Sequence, residues 1–190
     1  MITFNADTHT YTDNNKILPS VTQVLGLANL YEFVNANLLE RAARFGTAVH
    51  KATELYDQGK LNTDTLDIAL VPYLNGWKKF LRDTQFHVIH NELLVHSDMG
   101  YAGTLDRIGL IRGKLTLLDI KTTSVVPKTT ALQLAAYKYA FEEMQTRKID
   151  QCLCCQLKPD NYRLVEYNNP SDFFMFCNFL TVYKWSQDNV

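Results

Sequence analysis

Asp119 and Lys121 stand two residues apart at the end of Leu115-Thr116-Leu117-Leu118-Asp119-Ile120-Lys121, an apolar run of the kind that forms a buried strand. That spacing puts both side chains on one face. A carboxylate and an ammonium rooted beside a core cost several kcal/mol of desolvation unless they are paired, hydrogen-bonded or joined to a metal. Taken alone, the pair reads as a salt bridge at a strand end. Asp106, in Gly103-Thr104-Leu105-Asp106-Arg107-Ile108, adds a second acid from a neighbouring strand-like segment, and antiparallel pairing would set it opposite Asp119. Two carboxylates on one face raise each other's pKa and require a cation between them, unless Asp106 is neutralised by Arg107 or another base. A hard divalent ion meets that need, with Asp106 and Asp119 as oxygen ligands and the backbone carbonyl of Ile120 as a further one.

Upstream, Arg44-Phe45-Gly46-Thr47-Ala48-Val49-His50-Lys51-Ala52-Thr53-Glu54 sets His50 and Glu54 four apart, on one helix face. An ordinary contact between side chains one turn apart is the alternative reading. Gly46 costs about 1 kcal/mol relative to Ala inside a helix, so another group is expected to come close there. Gln133 and Tyr137 repeat the same spacing in the segment after Lys121, where Tyr137 would otherwise be a core aromatic with its hydroxyl at the edge. Glu92 is a further candidate acid on the strand before Asp106, although polar residues alternate on any half-exposed strand.

The elements that must position these groups follow from pattern. A short hairpin is expected from Ile2 to Phe4 against Thr10 to Tyr11, and Ser20-Val21-Thr22-Gln23 forms a capping box. A helical region follows from about Tyr31 toward Tyr56, rich in alanine, then a helix from Asp64 to about Arg82 broken or kinked near Pro72. Strands are predicted over Phe86 to His96, Tyr101 to Ile111 and Lys114 to Thr122, forming an antiparallel meander. A helix from Thr129 to about Gln145, strands over Gln151 to Leu157 and Tyr162 to Tyr167, and a helix from Ser171 complete the order. This order implies an α/β fold with a central mixed β-sheet flanked by α-helices.

The 190 residues fit one continuous domain, residues 1–190, with 46% hydrophobic and 21% charged residues. That composition excludes intrinsic disorder and collagen-like repeats, and the length excludes a multi-domain motor. With 19 Lys and Arg against 20 Asp and Glu, any nucleic acid must be held by a local patch. No apolar run is long enough to span a bilayer and the first residues lack a signal-peptide plan, so an intracellular, cytoplasmic protein with no membrane partner is expected. Gly109-Leu110-Ile111-Arg112-Gly113-Lys114 has three residues between its glycines where a phosphate loop needs four, and Leu115 replaces Ser/Thr, so no ATP site is expected.

Gly46-x-x-x-His50, Gly103-x-x-Asp106, Asp119-x-Lys121 and Gln133-x-x-x-Tyr137, in this order, resemble the motifs of RecB-like nucleases in the PD-(D/E)XK superfamily. Leu18-Pro19-Ser20-Val21-Thr22-Gln23-Val24-Leu25 also looks like the N-terminal signature of phage and mitochondrial relatives, which makes a phage-encoded origin one that the resemblance allows. The resemblance implies a restriction-endonuclease-like fold, metal ligation by His50, Asp106, Asp119 and the Ile120 carbonyl, and a catalytic Lys121 that orients or deprotonates water. Gln133 and Tyr137 would support substrate or Lys121. Some members hold an iron–sulfur cluster on four widely spaced cysteines. Here Cys152, Cys154 and Cys155 crowd one expected strand on alternating faces, so no cluster is expected.

The implied activity is a Mg²⁺- or Mn²⁺-dependent DNA nuclease, an exonuclease more than an endonuclease, acting on single strands or free ends in recombination, repair or phage DNA processing. A recombination or replication protein is a candidate partner. Arg41, Arg44 and Lys128 would guide the phosphate backbone, and Thr122 and Thr123 would hydrogen-bond the substrate. The competing reading is a non-catalytic nucleic-acid-binding or assembly module with the same fold. A degenerate module would be expected to lose Lys121 or an acid, and this chain keeps them all.

Overall fold

The computed structural model describes residues 2–5, 8–28 and 36–188. Ile2–Asn5 (β1), Thr10–Asp13 (β2) and Lys16–Leu18 (β3) form a three-stranded antiparallel sheet in the order β1-β2-β3. The first hairpin matches expectation; β3 does not appear in the sequence reading. It exists because Asn14 and Asn15 both take positive φ, 46° and 67°, the geometry of a tight hairpin turn that asparagine tolerates. The Ser20 hydroxyl accepts from the Gln23 amide while the Gln23 side chain accepts from the Ser20 amide, so the expected capping box starts α1, Val21–Leu25.

The second helix, α2, covers Ala36–Asp57; the expected start near Tyr31 lies outside the described residues. The helix expected from Asp64 is shorter than predicted. A single 3₁₀ turn occupies Thr63–Thr65, and α3 covers Val71–Thr84 with Pro72 in its first turn. Pro72 therefore begins a helix instead of kinking one, because its missing N–H falls where no intrahelical partner exists anyway.

The central sheet has the order β4-β5-β6-β7-β8, built from His87–Ser97, Tyr101–Ile111, Lys114–Lys121, Gln151–Lys158 and Asn161–Tyr167. Neighbours run antiparallel except β6 and β7, which are parallel and joined by the crossover helix α4, Thr129–Met144. Helix α5 is Ser171–Asp188. The chain is thus α/β with a five-stranded mixed sheet flanked by helices, consistent with a restriction-endonuclease-like fold. Gly109 to Lys114 forms the β5–β6 hairpin, with Arg112 and Gly113 at positive φ, and not a phosphate loop.

Alternation along β6 and β7 divides two cores. Leu115, Leu117, Cys152 and Cys154 pack with Leu134, Phe141 and Phe176 of α4 and α5, whereas Leu118, Ile120, Leu153 and Cys155 pack with Val49, Trp77 and Phe80 of α2 and α3. The three crowded cysteines are buried thiols divided between these cores.

The feature that positions the site is a mismatch of strand lengths. Strand β5 pairs with β4 as far as Tyr101, but with β6 only as far as Arg107 opposite Leu118. Past that point the N-terminal segment takes over. Ser20 bridges Ala102, the Ala102 amide donates to the Pro19 carbonyl at 3.0 Å, and the hydroxyls of Tyr11 and Thr104 lie 2.9 Å apart. Asp106 and Asp119 sit where β5 and β6 part. No helix among the described residues is long and apolar enough to cross a membrane.

Candidate metal centre

Three acids come from three adjacent strands: Glu92 from β4, Asp106 from β5 and Asp119 from β6. Helix α2 brings His50 against them. One ligand atom each of His50, Glu92 and Asp106 lies within 4.8 Å of the others, a group that could hold a metal ion. His50 Nδ1 is 3.5 Å from Asp106 Oδ1, and His50 Nε2 donates to the Ile120 carbonyl at 2.9 Å. The imidazole therefore touches both the acid and the backbone oxygen that the sequence reading named beside it.

Each carboxylate has an oxygen engaged by the protein, and Asp106 has both, since its Oδ1 faces His50. Glu92 Oε1 accepts from Arg107 at 3.1 Å, Asp106 Oδ2 accepts from the Ile120 amide at 2.6 Å, and Asp119 Oδ1 accepts from Lys121 at 2.8 Å. Asp119 is 2% exposed, and its Oδ2 is buried with no hydrogen-bond partner. A buried carboxylate oxygen left unpaired costs free energy that a cation would recover. A donor set of carboxylate oxygens, an imidazole and a backbone carbonyl could hold a metal ion.

Electrostatics follow from the crowding. Burial alone lowers the pKa of His50, but the Asp106 carboxylate outweighs it and raises the imidazole to about 9. Burial raises Asp106, yet His50 and Lys121 pull it below the usual carboxylate range. Glu92 is pushed up to about 7 by burial and by the neighbouring Asp106. Asp119 is likewise raised, by burial and Asp106 against the pull of Lys121. Burial lowers the pKa of Lys121, and the Asp119 and Asp106 carboxylates outweigh it, so the amine is held above its usual value.

Gln133 and Tyr137 extend this cluster along α4. Lys121 Nζ donates to Gln133 Oε1 at 3.1 Å, and Gln133 Nε2 donates to the Tyr137 hydroxyl at 3.4 Å. The glycine of Gly103-x-x-Asp106 now has a reason. A Cβ there would lie 2.5 Å from Tyr137 Cε1, so only glycine lets the Tyr137 ring lie against β5. At Gly46 no other backbone comes close among the described residues: a Cβ would meet the Thr122 hydroxyl at 3.4 Å, ordinary contact.

Glu54 is one turn along α2 from His50, but its carboxylate takes Lys51 at 2.8 Å and the Gln58 amide at 2.9 Å, the ordinary helix contacts of the alternative reading. Arg41 and Arg44 are exposed on α2, with Arg44 paired to Glu40; Lys128 is exposed at the start of α4. Thr122 is half-buried and Thr123 exposed. Arg107, considered in the sequence as a counter-charge for Asp106, instead reaches away to Asp57 and Glu92.

No family model matches the chain, and neither does any curated protein. Among solved structures, 14 chains match. One is the crystal structure of SSO0001, 17% identical, with a TM-score of 0.36 over 73% of this chain and 67% of that chain. That likeness is too loose to carry fold or function.

Proposed function

We propose that the chain is a metal-dependent nuclease of the RecB-like type, hydrolysing DNA phosphodiester bonds at the His50, Asp106, Asp119 and Lys121 cluster. The observation that supports it best is the convergence of His50, Glu92 and Asp106, with Asp119 paired to Lys121 through one oxygen and its Oδ2 buried without a partner. An ion bound there supplies Lewis-acid polarisation of the scissile phosphate and a lowered pKa for attacking water. His50, Asp106, Asp119 and the Ile120 carbonyl would hold it, with Glu92 as an additional ligand. Lys121, fixed by Asp119 and Gln133, stabilises charge developing on the phosphate oxygens. Tyr137 braces Gln133.

Arg41, Arg44, Lys128, Thr122 and Thr123 are assigned to substrate contact. A chain with near-balanced charge has little means to melt duplex DNA, which favours single strands or free ends, and hence an exonuclease, as substrate and activity. The test is end-labelled single- and double-stranded DNA incubated with Mg²⁺, Mn²⁺ or chelator, with Lys121→Ala beside the wild type. Cleavage should vanish with chelator and fall about 10²- to 10³-fold in Lys121→Ala, the loss typical of one transition-state charge donor. Undiminished cleavage by Lys121→Ala would remove this mechanism. Salt-sensitive DNA binding without cleavage under any metal would favour a binding module instead.

A further inference from the structure

The least expected group in the molecule is Arg107, whose side chain is fully buried and which no part of the proposed chemistry uses. Its Nε donates to Asp57 Oδ2 at 2.8 Å, and Asp57, whose side chain is 1% exposed, is fixed in turn by Trp77 Nε1 at 2.8 Å. The other end of the guanidinium divides. Nη2 donates to the Thr53 hydroxyl at 3.1 Å, while Nη1 donates both to Glu92 Oε1 at 3.1 Å and to the Asp106 carbonyl at 2.7 Å. One rigid fork thus grips a ligand-bearing residue on each of two strands.

A second observation points the same way. Glu92 has φ of 47°, in the left-handed region, and sits between Asn91 opposite Arg107 and Leu93 opposite Leu105, which sets it across from Asp106. Left-handed backbone costs a non-glycine residue about 1–2 kcal/mol and persists where the surroundings impose it. The bond to Arg107 is what the turned side chain gains. A buried ion pair is weak evidence for stability, since apolar residues of similar volume commonly serve as well, so stability alone gives no reason for this guanidinium.

We propose that Arg107 is the positioning residue of the metal centre: anchored by Asp57, it fixes Glu92 against Asp106 and leaves Glu92 a single oxygen for the ion. The inference rests on the metal-centre reading and assigns this arginine a role toward it. Outer partners that orient metal ligands typically change metal affinity 10- to 100-fold when removed. Lysine would keep the charge but lose the fork.

The experiment is calorimetric titration of the full chain with Mn²⁺, which needs no substrate, on wild type, Arg107→Met, Glu92→Gln and the double variant, with circular dichroism to verify folding. Arg107→Met should weaken Mn²⁺ binding about 10- to 100-fold, Glu92→Gln comparably, and the double variant little more than Glu92→Gln. Arg107→Lys should recover part of the affinity. If Arg107→Met fails to fold, Asp57→Asn, which loosens the anchor, is read in the same cycle with the same expectation. Wild-type Mn²⁺ affinity in the folded variant overturns the proposal, as does an equal loss whether or not Glu92 is present. A wild type that binds no Mn²⁺ overturns the metal-centre reading itself.

Discussion

His50 is where the chemistry of single residues is most exposed to test. As the ligand proposed above it would bind metal in its neutral form, yet beside Asp106 its pKa is raised to about 9, which favours the protonated imidazole at neutral pH. A metal would have to displace that proton. Apparent Mn²⁺ affinity should therefore rise from pH 6 to pH 9, and calorimetry in buffers of different ionisation enthalpy should register proton release on binding; a pH-independent affinity would contradict this assignment. The same pKa has a consequence for the metal-free fold. Because it is raised above the unfolded value of about 6.5, the His50–Asp106 pair contributes its full stability below that pH and loses it as pH climbs through about 9. The contribution is about 1.4 kcal/mol for each pH unit separating the two values. Urea unfolding in chelator should accordingly show this increment fading across that window.

At the scale of elements, the site depends on how closely α4 approaches β5. Gly103 admits the Tyr137 ring, Tyr137 meets Gln133, and Gln133 holds Lys121. Gly103→Ala places a methyl where the ring now lies, and overpacking of that kind costs typically 1–3 kcal/mol. The variant should lose about that much in denaturant unfolding and cleave more slowly with little change in Mn²⁺ affinity, since none of the ligand residues moves. Equal stability and rate would show that α4 can retreat freely. The early elements allow a simpler check: Ser20→Ala removes the cap of α1 and should cost about 0.5–2 kcal/mol.

For the whole molecule, a metal held at His50, Glu92 and Asp106 would join ion binding to stability. An ion that binds only the folded chain stabilises it by about 2.7 kcal/mol at a hundredfold excess over Kd. For a chain of 190 residues that is a rise in Tm on the order of 5–10 °C, abolished by chelator. Thermal unfolding with and without Mn²⁺ measures it, and an unchanged Tm at saturating metal would speak against a centre that links β4, β5 and β6. Substrate capture should share this dependence. With 19 basic against 20 acidic residues, the ion itself offsets the acids that would otherwise repel phosphate, so chelator should weaken DNA binding as well as cleavage.

What the sequence determined alone is whatever short-range spacing dictates. Asp119 and Lys121 share a strand face because side chains alternate, Gln133 and Tyr137 share a helix face because the helix repeats every 3.6 residues, and the Ser20 box closes within one turn. Strand order along the meander was legible for the same reason, through tight turns between apolar runs. What only the tertiary structure decided depends on residues far apart in the chain. The parting of β5 from β6 beyond Arg107, the left-handed backbone of Glu92 and the burial of Arg107 between Asp57 and Glu92 come from register, bulge and helix docking. Arg107 next to Asp106 offers in sequence one alternative counter-charge for that acid. Once β4 and α2 close around it, desolvation makes the guanidinium seek two carboxylates at once, and those that its fork can span are Asp57 and Glu92.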